Sequence, residues 1–194
     1  VLPVFENSKT GVVRKWTNAI FAMYPFESTG FLRTQKDRFA NPVGHATEAA
    51  AALLYDAVTG QDVEEKPLNL ALAELIRIRA VQDMPPSKAI GVLFLLKPLL
   101  RELLAKLPAA EREAAAKECL EMESRVDSLA LIAFDLYMED KTAMFRGRVA
   151  EIRRRYTTIE RWIASRGMEG LFPEKQEVPG ERPSSENLKE GGRE

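Results

Sequence analysis

The sequence predicts an all-α domain, and three observations carry that reading. Apolar residues recur at three- and four-residue spacing in nearly every stretch. Prolines and glycines fall mostly at the ends of those stretches, and no run alternates convincingly as a half-buried strand would. The 194 residues are 45% hydrophobic and 29% charged, which fits one soluble domain with an appendage and excludes wholesale disorder.

The elements follow in order. Val12 to Tyr24 carries Trp16, Ile20 and Phe21 at helical spacing, and Pro25 stops it. A short second helix is expected over Ser28 to Lys36. Asn41-Pro42 supplies an N-cap and a proline at the first helical position of a third helix, which runs to Thr59 with Gly60 as its C-terminal cap. Pro67 opens a fourth, ending near Asp83 because Met84-Pro85-Pro86 cannot continue it. Ser87 caps a fifth, Lys88 to Leu107, whose all-round apolar character between Ile90 and Leu100 marks a central helix. Pro98 should kink it by removing a hydrogen bond to residue 94.

From Ala109 to Arg166 there is no proline and one glycine, Gly147. A helix of that length would span ~87 Å, against a diameter of roughly 40 Å for a compact domain of this size, so the segment has to bend or project. Val126, Leu129, Ala133 and Leu136 follow a wide face suited to a bundle core. Phe145, Val149, Ile152, Tyr156, Ile159 and Ile163 instead form a heptad seam, the expected interface of a homodimer. The change of phase falls near Thr142. The alternative is one more core helix after a break at Gly147. Met168 to Glu194 is rich in proline, glycine and glutamate and is expected to be disordered. The expected organisation is a helical domain over 1–166 and a polar tail over 167–194.

Composition removes much chemistry. With 28 basic and 29 acidic residues the net charge is −1, which argues against a generic nucleic-acid binder. A single cysteine, Cys119, and a single histidine, His45, exclude a disulfide framework and a cysteine- or histidine-rich metal centre. Neither a secretory signal nor a membrane span is visible, so a cytoplasmic protein without membrane insertion is expected. No P-loop, GxGxxG, GxSxG or HExxH occurs. Asp127 and Asp135 lie ~80° apart around a helix with no accompanying nucleophile or metal set, a weak acid–base signal, and no enzyme or cofactor is expected.

Four residues stand as candidate ligand contacts. His45 lies in the first turn of the third helix, above a small-residue face of Ala49 and Ala52, and is read first as structural, second as an anion or haem ligand. Arg79 falls in line with Leu68, Leu72 and Leu75, so it approaches the buried face, with Asp83 four residues on as a partner. Asp135 lies among Leu131, Ile132 and Met138 and would need a partner if buried, either Arg77 or Arg79. The plain reading is a structural ion pair; the functional one is a pocket in which the guanidinium reads an anionic ligand. Cys119 reads as a helix-surface residue. Lys141 to Arg166 holds eight basic residues against Glu151 and Glu160, a surface for a protein partner ahead of nucleic acid.

An ordered series of motifs then points further. Lys15-Trp16, Tyr24-Pro25, Asp37-Arg38-Phe39-Ala40-Asn41-Pro42-Val43-Gly44 and Ile76-Arg77-Ile78-Arg79-Ala80-Val81-Gln82-Asp83 are followed by Pro86-Ser87-Lys88-Ala89-Ile90-Gly91, Phe94-Leu95-Leu96-Lys97 and Ala133-Phe134-Asp135-Leu136-Tyr137-Met138. Over about Val12 to Arg166 the chain resembles the RsbRD N-terminal domain family, the sensory module of RsbT co-antagonist (stressosome-type) proteins. The resemblance implies a globin-like, non-haem helical bundle that dimerises and signals through a protein partner. In co-antagonist proteins the last helix leads into a STAS domain, whereas here a short polar segment follows Gly167. Stand-alone members similar to this chain occur in sulfate-reducing bacteria, encoded near the membrane redox complex linked to dissimilatory sulfite reduction. The expected function is a non-catalytic sensory or regulatory module. The competing reading is a small-ligand carrier for haem or a fatty acid.

Overall fold

The computed structural model describes residues 3–35 and 37–167 and is all-α, with a long C-terminal helix. The helices are α1 (Pro3–Asn7), α2 (Lys9–Phe21), α3 (Phe26–Thr34), α4 (Pro42–Thr59), α5 (Glu65–Val81), α6 (Pro86–Phe94), α7 (Leu96–Lys106) and α8 (Ala109–Ala164). Two compact units divide the chain at Gly147, and α8 runs through the division. The expected tail from Met168 lies outside the described residues.

In the first unit α4 packs on both α2 and α5. Val12, Trp16 and Ile20 of α2 are buried against this layer at the spacing of one helix face. Full burial of side chains of this size is worth roughly 1.5–3 kcal/mol each. The face α4 buries is Gly44, Thr47, Ala51, Leu54 and Val58, with Ala50 and Tyr55 beside it. That differs from the His45–Ala49–Ala52 face read from sequence: His45 and Ala49 are exposed, because the buried face is rotated by about one residue. Helix α1 was not anticipated. It is held by Phe5, whose side chain is buried and whose carbonyl accepts the Tyr55 hydroxyl at 2.7 Å.

The ends of α4 show why its boundaries are readable. Asn41 Oδ1 accepts the Gly44 amide at 2.9 Å, and Asn41 Nδ2 donates to the carbonyls of Leu32 and Gln35 at 3.0 Å each. One buried side chain thus starts α4 and caps the end of α3. A Cβ on Gly44 would lie 2.2 Å from Asn41 Nδ2, so only glycine fits under that cap. At the other end Gly60 adopts φ +79°, and the Arg125 guanidinium donates to the Val58 carbonyl at 2.8 Å.

The expected fifth helix is two helices. Pro98 has no amide for the carbonyl of Phe94, and the chain breaks at Leu95 instead of bending gently. The break leaves last-turn carbonyls of α6 needing donors, and Val92 accepts the buried Trp16 Nε1 at 2.7 Å.

Helix α8 buries Ala115, Cys119, Met122, Val126, Ala130, Ala133 and Tyr137. Cys119 is therefore a core residue, 3% exposed, and the surface position read from its Ala/Glu-rich surroundings is corrected. Asp135 is corrected in the opposite sense. It is exposed on nearly the opposite face, about 160° around the helix from Ala133 and Tyr137, while the exposed Leu131 (71%), Phe134 and Met138 sit about 100° from the core stripe. Described by itself, the second unit as far as Gly167 is almost wholly exposed, with Val149 and Ile163 half-buried.

Candidate functional site

Sequence placed Arg79 towards the core, and it lies there, with 0% exposure, at the C-terminal turn of α5. The Leu68–Leu72–Leu75–Arg79 line carries it inward. No carboxylate pairs with it among the described residues. Nη2 donates to the Lys88 carbonyl at 3.4 Å and meets Met23 Sδ at 3.8 Å, both weak contacts. Nε and Nη1 are buried with no acceptor at all. The guanidinium carbon stands 5.6 Å from the centroid of the Tyr24 ring.

The magnitudes are lopsided. A desolvated cation–π contact supplies about 2 kcal/mol. Removing an ion from water without a counter-charge costs several kcal/mol, and each orphaned donor adds roughly 1–3 kcal/mol. Burial accordingly lowers the Arg79 pKa, with Tyr24 opposing. An arginine nonetheless stays protonated at neutral pH. Burial raises the Tyr24 pKa, with Arg79 and the Gln82 hydrogen bond working against that.

The surroundings of Arg79 form a corner tied to α8. The Arg79 carbonyl accepts the Met84 amide at 3.2 Å, and the Met84 carbonyl accepts the Tyr137 hydroxyl at 2.6 Å. Asp83, in the left-handed region at φ +58°, pairs with Lys141. Arg77 is exposed and pairs with Asp140 at 3.4 Å. One turn of α8, Tyr137 to Lys141, thus holds the α5–α6 turn at two points, Asp83 and Met84, and α5 itself at Arg77. Beside the corner lies an open cleft of about 390 Å³ between α3, α4 and the end of α5. Tyr24, Phe31, Leu32, Val43 and Gln82 line it, with Glu27 at its edge. The Tyr24 hydroxyl donates to Gln82 Oε1 at 2.9 Å across it.

The four candidates do not converge. Arg79 is buried; Arg77 points outward, two residues and half a helical turn away; Asp135 pairs with neither; His45 is exposed at the start of α4. Asp83, expected to pair with Arg79, pairs with Lys141 instead. The residues that do meet Arg79 are Met23, Tyr24, Met84 and Lys88, with Gln82 bonded to Tyr24 and Tyr137 to Met84. Sequence reasoning gave them no role, although Tyr24, Gln82 and Tyr137 stand inside the motifs quoted for the resemblance.

A second polar seam joins α7 to α8. Arg101 grips the mostly buried Glu123 through Nε and Nη2 at 2.6 and 2.7 Å, and Lys97 pairs with Asp127 at 2.6 Å. Arg101 holds the Glu123 carboxyl below its usual range. Hydrogen bonds from Lys106 and Lys15 hold Glu102 down to about 2. These pairs fasten helices, and Lys15, Glu102 and Lys106 also line an open cleft of about 260 Å³ between α2 and α7. Among the described residues no group of histidine, cysteine and carboxylate side chains is arranged to hold a metal ion, and no helix is long and apolar enough to cross a membrane.

The fold and its polar corner define an all-helical module in which, among the described residues, a buried cation lacks a counter-charge. Residues 10–152 match the family model described as the RsbT co-antagonist protein rsbRD N-terminal domain, and the chain belongs to that family. It is a regulatory, sensory family of the stressosome type. No curated protein and no solved structure matches the chain.

Proposed function

We propose that the protein is a non-catalytic, cytoplasmic sensory module that acts as a homodimer through α8 and passes its signal to a protein partner. The observation that supports this is the apolar row Phe145, Ile152, Tyr156 and Ile159, all about half to two-thirds exposed, with Val149 and Ile163 completing the heptad spacing. A row of this kind in water favours pairing with an equivalent row, where each side chain enters a hole on the facing helix. The arginines flanking it leave room for an acidic partner surface. On the resemblance to stand-alone members, that partner is sought among proteins of the membrane redox complex linked to dissimilatory sulfite reduction.

Light scattering on the full chain and on a chain ending at Arg146 tests the dimer. The full chain is expected at twice its monomer mass and the shorter one at the monomer mass; an unchanged dimer after truncation rejects α8 as the interface. Affinity purification of the native protein with mass spectrometry tests the partner.

A further inference from the structure

We propose that Arg79 is the anchor of a binding site for a small oxyanion, a carboxylate or an inorganic oxyanion, reached from the cleft when the Tyr24 ring turns aside. Among the described residues, three N–H donors of the guanidinium, one on Nε and two on Nη1, face no acceptor, and no carboxylate pairs with the charge. A water molecule would satisfy a donor but not the charge. An oxyanion satisfies both, and guanidinium–oxygen pairing is the strong form of this contact. Tyr24 is the cover. Its ring lies against Arg79 on one side and lines the 390 Å³ cleft on the other, and a single hydrogen bond to Gln82 keeps it in place. Arg79 lies behind Tyr24 and not in the cleft wall itself, and among the described lining residues none is positively charged, so the guanidinium supplies the attraction once the ring has moved. Glu27 at the edge opposes entry and sets a threshold.

The site gives the sensory reading a stimulus class, and its link to signalling rests on that reading; the binding itself does not. The link is short. Arg79 bonds through its carbonyl to Met84 and through Nη2 to the Lys88 carbonyl, and Met84 and Asp83 are held by Tyr137 and Lys141 of α8. An anion that draws the guanidinium off Lys88 therefore pulls on the turn that α8 grips.

The test uses the full chain in a chloride-free zwitterionic buffer. The Arg79 side-chain Nε–H signal is assigned in a proton–nitrogen spectrum by its loss in Arg79→Met. Sodium acetate, sodium phosphate and sodium chloride are then titrated separately to 50 mM, acetate and phosphate separating the carboxylate from the inorganic source. A saturable shift with acetate or phosphate, at least fivefold tighter than with chloride, is expected. Tyr24→Ala should tighten it severalfold, because binding no longer has to displace the ring, and Glu27→Gln should tighten it less. In the same buffer Arg79→Met should melt above the wild type, and the bound anion should narrow that gap. A signal insensitive to every anion in both the wild type and Tyr24→Ala, or one responding equally to chloride, overturns the proposal. The readout needs neither dimer nor partner, so its failure leaves the regulatory reading standing, and loss of the dimer leaves the site standing.

Discussion

Asn41 joins two helices with three hydrogen bonds from one buried amide. Replacing it with alanine removes a cap and orphans two carbonyls and an amide. Asn41→Ala is expected to lower stability by about 2 kcal/mol in urea denaturation, and Asn41→Asp, which keeps the cap acceptor but sets a buried carboxylate oxygen against the Leu32 and Gln35 carbonyls, should lose at least as much. Gly44→Ala forces a methyl into the same amide and is expected to cost about 1–3 kcal/mol by the same measurement. At this scale the sequence was informative where a local rule decides. Asn41-Pro42 marks a helix start, and the leucine line points Arg79 inward. It was silent on Arg79's partners, because these come from the α2–α3 turn and from α6, and local spacing does not tell which residues of distant segments surround it. The Asp83 pairing failed for the same reason: a left-handed backbone at Asp83 turns its side chain to Lys141.

At the scale of elements, α7 is fastened to α8 and α2 by carboxylates whose folded-state pKa values lie below their ordinary ones. Glu102 is held down to about 2 by hydrogen bonds from Lys106 and Lys15, and Glu123 is lowered by Arg101. A carboxyl that ionises more readily folded than unfolded stabilises the fold fully above about pH 4.5 and ceases to as pH falls towards 2. Thermal melts between pH 6 and 2 should therefore weaken most steeply below pH 4.5, and Glu123→Gln should flatten that fall; Glu102→Gln, at an exposed pair, should flatten it less. The helices themselves were legible because periodicity and breakers agree. Two readings were not. Pro98 was expected to kink a helix and ends one, since Trp16 offers a donor that makes the broken state acceptable. Asp135 read as buried because α8 carries two apolar stripes about 100° apart, and a list of apolar neighbours does not tell which stripe meets the core.

Across the whole molecule, an opening balance of −1 conceals a basic stretch from Lys141 to Arg166 with the apolar seam running through it. A dimer held by that stretch makes thermal stability depend on concentration. The melting temperature of the full chain should rise by a few degrees from micromolar to hundred-micromolar protein, and that of a chain ending at Arg146 should not; differential scanning fluorimetry across the dilution series decides. The burial of Cys119 against the core gives the molecule a built-in clock. Its thiol is shielded, and burial, aided by Glu123, raises its pKa. A thiol reagent can therefore reach it only in those moments when α8 lifts from its neighbours, and the labelling rate counts those moments without any added probe. Measured with and without a bound anion or partner, that rate would read how firmly the long helix is clasped in each state.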